Sequence, residues 1–454
     1  MSAVHEQIFR QYDIRGIFGK ELTLRDAELI GRAFGTYIKR RGENNAIVGR
    51  DTRRSSPDLF NSLVKGFLST GINVKDIGVV VSPIFYYSTI LYGIKSGIIV
   101  TASHNPANYN GFKIQFDGRT LYGEELQIIK KLIQADDFEN GQGKLTCQSP
   151  VKDYIGMVKE KINLTGRKLK VVVDCGNGTA GLFAPTLLKE LGCEVIPLYC
   201  DSNPDFPNHF PDPVKTENLK DLIRTVKESR ADLGVGFDGD GDRLGVVDNQ
   251  GNIIWGDMLM ILFWREIMPK YPGATAIVEV KCSETLVEEI KRLGGKPMFY
   301  KTGHSLIKAK MKELGTVFTG EMSGHMFFAD EYFGFDDALY ACARLLRIIS
   351  KSGKALSELF SDVPKTFVTP EIRIECPEEE KHYYVGKAKK YFEAKGKKII
   401  DIDGVRVQFD DGWGLVRASN TGPELIVRCE AKTFNQLEQI KEEISKSIRP
   451  FKIA

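Results

Sequence analysis

The chain has 454 residues, of which 42% are hydrophobic, and it carries 63 Lys and Arg against 60 Asp and Glu. Such a length exceeds one ordinary core, and the near balance of charge gives no argument for a nucleic-acid or acidic-membrane partner. Without a signal-peptide core, an apolar run of membrane-spanning length or a C-x-x-C pair among its eight cysteines, the sequence predicts a multidomain cytoplasmic protein.

Three segments share one plan, a strand, a polar loop, a helix ended by glycine and a second strand. Their first strands begin at Ala46, Val171 and Ala276. Each segment later carries another apolar strand that runs into a polar loop, at residues 97–105, 233–240 and 316–325. This order predicts three similar α/β domains with mixed, mostly parallel sheets, whose ligands bind outside the carboxyl ends of the strands.

The pattern changes after Pro364, where Pro370 and the charged run 378–381 indicate a linker region. The remainder predicts a smaller α+β domain, with helices at 383–395 and 435–448 and strands at 398–409, 413–418 and 425–429. We therefore predict an α/β protein of four domains around a central cleft, with bounds 1–150, 151–255, 256–367 and 368–454.

The most informative motif is F-D-G-D-G-D-R at residues 237–243. It places Asp238, Asp240 and Asp242 at alternate positions, and an extended chain would put all three on one side. Their repulsion would push a proton onto one of them unless a hard cation that prefers oxygen ligands lies between them. The motif therefore predicts a divalent metal site, with Mg²⁺ as the first choice.

Two other interpretations of this motif are a solvated Asp-Gly turn and the opening of an EF-hand calcium loop. The EF-hand fails, because counting from Asp238 the sixth position holds Arg243 rather than Gly and the twelfth holds Asn249 rather than Glu. The next stretch, 244–247, also has the character of a strand. The solvated turn stays open on these residues alone.

A second polar loop, T-A-S-H-N-P at residues 101–106, displays Ser103 directly after a buried type of strand. Pro106 prevents that strand from simply continuing. A serine hydroxyl can carry a phosphoryl group covalently where a metal neutralises the charge. The alternative is a Ser- and Asn-rich turn with local backbone hydrogen bonds.

Further loops carry binding chemistry. R-A-S-N-T-G at 417–422 combines a guanidinium, hydroxyls and an amide that suit a phosphate, although a decorated turn explains it equally well. G-E-M-S-G-H at 320–325 and K-T-G-H at 301–304 offer donors and acceptors for sugar hydroxyls. His325 could move a proton or simply hold its loop together.

One motif favours a different function. G-N-G-T-A-G at 176–181 follows a strand, opens a helix and is followed after about twenty residues by Asp201, as in dinucleotide-dependent oxidoreductases. Under that hypothesis the Asp motif and the loops at Ser103 and Arg417 would have no role. It is kept as a minor alternative.

T-A-S-H-N-P, D-G-D-G-D-R, G-E-M-S-G-H and R-A-S-N-T-G, in this order, closely resemble the four signature loops of the α-D-phosphohexomutases. The resemblance covers essentially the whole chain, and the last two loops look most like the phosphomannomutase/phosphoglucomutase branch. It implies an intramolecular phosphotransferase that interconverts the 1- and 6-phosphates of mannose and glucose through a phosphoserine and a hexose 1,6-bisphosphate.

The resemblance also implies residue roles. Ser103 would be the phosphoserine, the Asp triad would bind Mg²⁺ with a phosphoserine oxygen, and the 417–422 loop would hold the non-reacting phosphate. The implied catalytic and metal-binding residues are Ser103, Arg15, Lys113, His325, Asp238, Asp240 and Asp242. The implied substrate-binding residues are Tyr12, Arg243, Lys281, Thr302, Gly303, His304, Glu321, Ser323, His325, Arg417, Ser419, Asn420, Thr421 and Gly422.

Two rivals remain beside the mutase. A sugar-phosphate-binding protein without turnover would not need Ser103 together with an intact Asp triad, and phosphoglucosamine mutase is the nearest rival among enzymes. The implied cofactors are Mg²⁺ and hexose 1,6-bisphosphate, as activator and intermediate. The implied partners are hexose phosphates, with no nucleic acid or membrane, for a monomer or small homo-oligomer.

Overall fold

The computed structural model describes residues 4–420 and 422–453. They form two compact units. The first runs to Gly256 and also takes in Ser323–Leu359, and the second comprises Asp257–Met322 and the chain from Phe360 onward. Among the described residues, no helix has both the length and the apolar character that a membrane crossing requires.

The first unit holds most of the helices and strands. Its α-helices are Leu24–Lys39, Ser56–Ser69, Ser82–Leu91, Glu124–Gln134, Val151–Lys161, Ala184–Glu190, Lys220–Ser229 and Ala338–Ser352. Its strands are Ile14–Ile17, Asn45–Arg50, Asn73–Val79, Ser96–Val100, Tyr109–Phe116, Arg119–Thr120, Leu145–Cys147, Lys170–Asp174, Glu194–Leu198, Leu233–Phe237, Leu244–Asp248, Ile253–Ile254 and Met326–Phe328.

The second unit follows the same α/β order and then changes to an antiparallel sheet with two helices. Its α-helices are Gly256–Ile267, Glu284–Arg292, His304–Leu314, Lys381–Ala394 and Phe434–Ser447. Its strands are Thr275–Glu279, Lys296–Tyr300, Phe318–Gly320, Phe367–Val368, Ile372–Glu375, Ile399–Ile400, Val405–Phe409, Gly412–Ala418 and Glu424–Ala431.

A mixed sheet of seven strands organises the N-terminal part of the first unit. Asn45–Arg50 and Ser96–Val100 are parallel neighbours, and Tyr109–Phe116 runs antiparallel to the second of them. The loops that follow the two parallel strands therefore leave the same edge of the sheet. Residues 101–106 lie in one of these loops, as the sequence predicts.

The second sheet has five strands and repeats this arrangement. Lys170–Asp174 is parallel to Glu194–Leu198 on one side and to Leu233–Phe237 on the other. Leu244–Asp248 then returns antiparallel to Leu233–Phe237. The Asp motif thus lies at the carboxyl end of a buried strand, in the turn of a hairpin.

Parallel strands also begin the second unit. Thr275–Glu279 pairs in parallel with Lys296–Tyr300 and with Phe318–Gly320. The last residue of this central strand, Glu279, is fully buried, and Lys281 follows two residues later with only 5% of its surface exposed. Charged residues are uncommon in a core, so a buried pair at a strand end is a candidate for a functional site.

The last sheet is antiparallel, and it departs from two sequence expectations. The region expected to be a linker contains Phe367–Val368 and Ile372–Glu375, and both strands pair with Glu424–Ala431. The predicted strand 398–409 is broken into two short strands by a turn that contains Gly404, whose φ is 85°. A positive φ of this kind suits glycine, which lacks a Cβ.

Close helix packing supports the first sheet. Helices Leu24–Lys39 and Ser56–Ser69 approach so closely that a Cβ on Gly31 would lie 2.2 Å from the carbonyl oxygen of Leu63. A Cβ on Gly66 would likewise meet a backbone oxygen, at 2.1 Å. Any side chain at either position would therefore force the helices apart.

Candidate functional site

The three carboxylates of the Asp motif lie in a tight turn. The expectation of an extended chain is wrong, because the chain reverses at Gly241, whose φ is 71°. Asp238 Oδ1 accepts hydrogen bonds from the amides of Asp242 at 3.0 Å and Arg243 at 3.1 Å, which closes the turn. The turn still converges Asp238, Asp240 and Asp242, so that one ligand oxygen of each lies within 4.8 Å of the others. These three residues are the Asp cluster.

The Asp cluster is almost entirely removed from solvent. Burial, and then the charges of Asp242 and Asp240, raise the pKa of Asp238 well above its usual range. Burial opposes ionisation of Asp240 too, but the ion pair with Lys113 and a hydrogen bond from Ser82 outweigh it and hold the pKa of Asp240 below its usual range. Crowding of the three carboxyl groups in a dry environment therefore disfavours the ionised form of Asp238 when no cation is bound.

Lys113 is the one predicted catalytic cation that enters this cluster. It projects from strand Tyr109–Phe116, and its Nζ lies 2.5 Å from Asp240 Oδ2 and 2.5 Å from Asp242 Oδ2. Burial would lower the pKa of Lys113, but the two carboxylates outweigh this and raise it well above its usual range. Lys113 is therefore a permanent positive charge, and a single one against three carboxyl groups.

This imbalance fits a metal ion. Asp240 Oδ1 and Asp242 Oδ1 are buried, and no residue in the described part of the chain gives either of them a hydrogen bond. Buried carboxylate oxygens without a donor are costly, and a hard divalent cation satisfies them with its preferred ligands. The residues that can hold such an ion are those of the Asp cluster. A second group with metal-ligating atoms, Asp242, His325 and Asp336, shares Asp242 with it.

Ser103 lies directly on the Asp cluster. Its Oγ donates a hydrogen bond to Asp238 Oδ2 at 2.7 Å, and its backbone has a φ of 51°. The residue is buried rather than displayed to solvent, with 4% of its surface exposed. The neighbouring ring nitrogen His104 Nδ1 is 3.1 Å from Ser103 Oγ. Burial and the charges of Arg243 and Arg15 hold the pKa of His104 well below its usual range, so this imidazole is neutral.

Arg15 reaches the same loop from the N-terminal strand. Strand Ile14–Ile17 runs antiparallel to Tyr109–Phe116. The Arg15 guanidinium forms an ion pair with Asp13 and donates to the side-chain oxygen of Asn105, two residues after Ser103. Tyr12, the residue before Asp13, is buried. The structure therefore brings Arg15 to the Ser103 loop, as expected.

His325 and Arg243 form a contact that the sequence does not reveal. Arg243 Nε donates to His325 Nε2 at 3.0 Å. The other ring nitrogen, Nδ1, lies 3.1 Å from Asp336 Oδ2 and 3.6 Å from Asp242 Oδ1. His325 thus adjoins the Asp cluster. Ser323, two residues earlier, is half-buried.

The second unit holds its predicted site residues in ion pairs of its own. Lys281 Nζ lies 2.8 Å from Glu371 Oε2 and 3.3 Å from Glu279 Oε1. Burial would lower the pKa of Lys281, but these carboxylates outweigh it and raise the value. Burial likewise opposes ionisation of Glu371, yet Lys281 holds its pKa at about 2.

The K-T-G-H loop is tied to the loop that carries Glu321. The amide of Gly303 donates to Glu321 Oε1 at 2.8 Å. Thr302 Oγ1 donates to Glu279 Oε1 at 2.7 Å, and His304 opens the helix that ends at Leu314. The predicted sugar-facing residues Thr302, Gly303 and Glu321 are therefore neighbours in space.

Arg417 is the penultimate residue of Gly412–Ala418, the central strand of the last sheet. Its Nε donates to Asp403 Oδ2 at 3.1 Å, and the same carboxylate oxygen accepts from the Thr302 amide at 2.9 Å. Ser419 is buried, and Asn420 and Gly422 are half-buried. Asp403 therefore links the predicted phosphate loop to the K-T-G-H loop. Thr421, also predicted, lies outside the described residues.

Sequence reasoning missed several residues of both sets. In the first unit Ser82, at the start of a helix, donates to Asp240 Oδ2 at 2.6 Å, and Asp336 faces His325. In the second unit the acidic partners Glu279 and Asp403 were missed. Glu279, at the carboxyl end of a predicted parallel strand, could have been found from its place, whereas Asp403 lies in a turn that no motif marks.

The glycines of the G-N-G-T-A-G motif serve internal packing. A Cβ on Gly181 would lie 2.1 Å from the carbonyl oxygen of Cys200, and one on Gly178 would lie 3.1 Å from Gly239. Thr179 N also donates to the carbonyl of Gly239 at 3.1 Å. Gly178 and Thr179 therefore pack on the turn of the Asp cluster and Gly181 packs on Cys200, so contacts within the protein account for these two glycines.

A serine hydroxyl on a buried carboxylate cluster suited to a divalent cation is the arrangement of a phosphoryl-transfer enzyme. Family models for the phosphoglucomutase/phosphomannomutase alpha/beta/alpha domains I, II and III match residues 6–140, 152–251 and 255–367, and the model for its C-terminal domain matches 371–447. The chain belongs to this family. It is an enzyme, a hexose-phosphate mutase, and the family and fold implied by the four loops are confirmed.

Similar proteins carry matching names. A phosphomannomutase/phosphoglucomutase of Pseudomonas aeruginosa is 48% identical over 434 residues, covering 96% of this chain and 94% of the relative. A phosphoglucomutase of Neisseria meningitidis is 44% identical, covering 98% and 97%. A crystal structure of a phosphoglucomutase/phosphomannomutase family protein from Burkholderia thailandensis has a TM-score of 0.92 at 41% identity and covers 98% of each chain.

Proposed function

We propose that this mutase interconverts the 1- and 6-phosphates of glucose and of mannose through a phosphoserine at Ser103. The observation that carries the proposal is the hydrogen bond from Ser103 Oγ to Asp238 of the Asp cluster. Lys113 contacts the same cluster. The names of the relatives support the two sugars, since one relative is named for both activities and another for phosphoglucomutase alone.

The phosphoryl step is an exchange of two P–O bonds. The bond between phosphorus and Ser103 Oγ breaks as a new bond forms to the free hydroxyl oxygen of the hexose monophosphate, which gives a hexose 1,6-bisphosphate. The bisphosphate then turns round, and its other phosphoryl group returns to Ser103. Because such transition states are loose, positioning and charge neutralisation supply most of the catalysis.

We assign Mg²⁺ to the Asp cluster. When bound there, the ion neutralises negative charge on the transferring phosphoryl group. Lys113, fixed by two carboxylates, adds a permanent positive charge at the same place. The neutral His104 beside Ser103 Oγ adds no charge, and its ring nitrogen at 3.1 Å helps to hold the serine oxygen in place.

The hydroxyl of the sugar must lose a proton as it accepts the phosphoryl group. By the family resemblance we assign this proton to His325, whose ring adjoins the Asp cluster. Its Nε2 accepts from Arg243 Nε at 3.0 Å, so this contact must open before Nε2 can take the proton. Arg15, bonded to Asn105, would hold the reacting phosphate next to the serine loop.

In the second unit we assign Glu321, Thr302, Gly303 and His304 to the sugar hydroxyls, and Lys281 to the same region. The loop of Arg417 would hold the non-reacting phosphate. This phosphate would share Arg417 with Asp403, whose carboxylate accepts from Nε and Nη2 of the guanidinium. The remaining assigned residues are Tyr12, Arg243, Ser323, Ser419, Asn420, Thr421 and Gly422.

A dephosphorylated enzyme would be inactive, so hexose 1,6-bisphosphate should act as activator as well as intermediate. We also propose that the enzyme works in the cytoplasm on these small molecules, as a monomer or small homo-oligomer, and that its domains divide at residues 150, 255 and 367.

A coupled assay tests the proposal. Purified enzyme with Mg²⁺ and glucose 1,6-bisphosphate is given glucose 1-phosphate, mannose 1-phosphate or glucosamine 1-phosphate, and formation of each 6-phosphate is followed. Comparable turnover of the first two and weak turnover of the third is expected. Efficient turnover of glucosamine 1-phosphate alone would identify a phosphoglucosamine mutase instead.

A further inference from the structure

All five N–H groups of Arg53 contact either the loop of Ser103 or one carboxylate. It follows strand Asn45–Arg50, and only 2% of its side chain is exposed. Its Nε lies 3.2 Å from Asp51 Oδ2. The other four N–H groups donate to the backbone carbonyls of Ser103 at 2.7 Å, Asn105 at 2.6 Å, Pro106 at 2.7 Å and Tyr109 at 3.0 Å.

The loop that Arg53 binds has an unusual conformation. Ser103 has a φ of 51°, a region that residues with a side chain rarely occupy. Its carbonyl oxygen also packs against the turn of the Asp cluster, where a Cβ on Gly239 would lie 2.2 Å away. The carbonyl of Ser103 is thus fixed between Arg53 on one side and Gly239 on the other. The hydroxyl of the same residue is then held toward Asp238.

Burying a guanidinium is costly, and a buried ion pair gives little net stability compared with apolar packing of the same volume. Burial lowers the pKa of Arg53, and the charge of Asp51 opposes this. Asp51 in turn accepts hydrogen bonds from the Arg53 amide at 3.0 Å and from the hydroxyl of Ser56. A charged pair kept under these conditions points to a need for specific geometry.

We propose that Arg53 is a positioning residue for phosphoryl transfer, which holds the Ser103 loop in the conformation that aims Oγ at the Asp cluster. This rests on the proposed function, in which Ser103 carries the phosphoryl group. Lysine cannot replace it, because an ammonium has three donors and no planar fork, whereas the four carbonyls and Asp51 occupy five.

The test compares Arg53→Lys and Arg53→Gln with Arg54→Lys, a neighbouring control whose side chain is 73% exposed and pairs with Asp205. Both Arg53 variants should lower kcat for glucose 1-phosphate by about 30-fold or more, since small misplacements of reacting groups cost about two orders of magnitude. KM should stay within about threefold, because the donors of Arg53 all go to groups of the protein. The control should match the wild type.

Hydrogen exchange separates positioning from general support of the core. In either Arg53 variant, amides of residues 101–110 should exchange about tenfold faster or more, while strand Ser96–Val100 and helix Ser56–Ser69 keep their protection. An unchanged kcat in either variant, or an equal rise in exchange across the whole sheet, would overturn the proposal.

The hydrogen-exchange result does not depend on whether Ser103 is phosphorylated. Intact-mass measurement of the wild type after incubation with Mg²⁺ and glucose 1,6-bisphosphate reads the phosphoserine directly, and its absence under these conditions would contradict the proposed function. The exchange rates of the loop would still report whether Arg53 holds it.

Discussion

The two units of the molecule handle charge in opposite ways. In the first, the Asp cluster faces one buried ammonium, Lys113, and two of its carboxylate oxygens lack a donor among the described residues. In the second, Lys281 and Arg417 already have carboxylate partners. The first centre is thus short of positive charge, whereas the cations of the second are neutralised before any ligand arrives.

This difference predicts that the first unit stabilises the transition state, whereas the second unit contributes to the affinity for substrate. A cation and a phosphoryl group add to an assembled cluster, so its groups act on the transition state. A phosphate at Arg417 must compete with Asp403 for the charge of the guanidinium, so its affinity is reduced by the contact that Asp403 already makes. Substitutions in the first unit should therefore lower kcat, and those in the second should mainly change KM.

The largest effect is expected at Ser103. Ser103→Ala removes the oxygen that carries the phosphoryl group, so steady mutase turnover should be lost. Thr101 does not substitute for it, since its Oγ1 accepts the Ser103 amide at 3.0 Å, two residues back at the strand end. The exposed residue Ser149, changed to alanine, is the control and should retain activity. Full activity of the Ser103 variant would rule out the covalent mechanism.

Asp240→Asn should lower kcat by roughly two to four orders of magnitude, because it removes a metal ligand and half of the Lys113 ion pair. Its Mg²⁺ requirement should rise, while circular dichroism stays that of the wild type. Asp205→Asn, at an exposed position of the same unit, is the control. An equal loss of thermal stability and activity would show that the Asp cluster is structural instead.

Arg417→Ala sharpens the contrast between the units. A charge-assisted hydrogen bond contributes about 1.5–3 kcal/mol, so KM should rise roughly 10- to 150-fold, with a smaller change in kcat. Steady-state kinetics with both the 1- and the 6-phosphate measure this, with exposed Arg292→Ala as the control. If KM for both substrates stays at the wild-type value, the loop does not hold phosphate.

Substitution of Glu321 should lower kcat/KM equally for the glucose and the mannose phosphates. By family resemblance its carboxylate faces hydroxyls that glucose and mannose share, whereas the sugars differ only at C2. We expect kcat/KM values within about two orders of magnitude, less than roughly 3 kcal/mol of discrimination, and an equal decrease of both in Glu321→Ala. A variant that loses only one sugar would reveal an unrecognised contact at C2.

The smallest effect concerns the pH dependence of folding in the first unit. Burial raises the pKa of Asp337 to about 6, although Tyr332 and Tyr154 donate to it at 2.6 Å and 2.8 Å. The folded state therefore binds the proton more tightly, so this carboxyl costs stability increasingly as pH rises from about 4 to 6, by about 3 kcal/mol in all.

Thermal unfolding of Asp337→Asn at about pH 4.5 and about pH 7.5 measures this cost, because the amide cannot ionise. The midpoint of the variant, relative to the wild type, should rise by a few degrees between the two pH values. Exposed Asp153→Asn should show no such change. A constant difference between Asp337→Asn and wild type would mean that Asp337 does not titrate there.

The succession of strands, loops and helices along the chain followed from the sequence, because hydrophobic patterning and the glycines that end helices mark α/β repeats directly. Ser103 and the Asp cluster lie in loops that leave strands of two sheets, and Lys113 reaches the cluster from strand Tyr109–Phe116. The shape of the Asp turn did not follow, since alternate spacing suits a strand, whereas Asp238 bonds to two amides that only a reversal brings near.

The partners of the predicted residues were beyond sequence reasoning. Arg53, Asp336 and Asp403 act through contacts that span long separations in the chain, and single buried charges give no periodic signal. Proline and charge predict a linker where the strands 367–368 and 372–375 lie, and the pairing of these strands with the distant strand Glu424–Ala431 overrides this local signal.

One measurement tests the central claim most directly. Enzyme phosphorylated by glucose 1,6-bisphosphate and freed of it is mixed with an equal amount of glucose 1-phosphate, and early time points are analysed by mass spectrometry. The phosphoserine account predicts that the enzyme loses the mass of one phosphoryl group at Ser103 as glucose 1,6-bisphosphate appears in matching amount. Glucose 6-phosphate that accumulates while the mass of the enzyme never changes and no bisphosphate forms would contradict it.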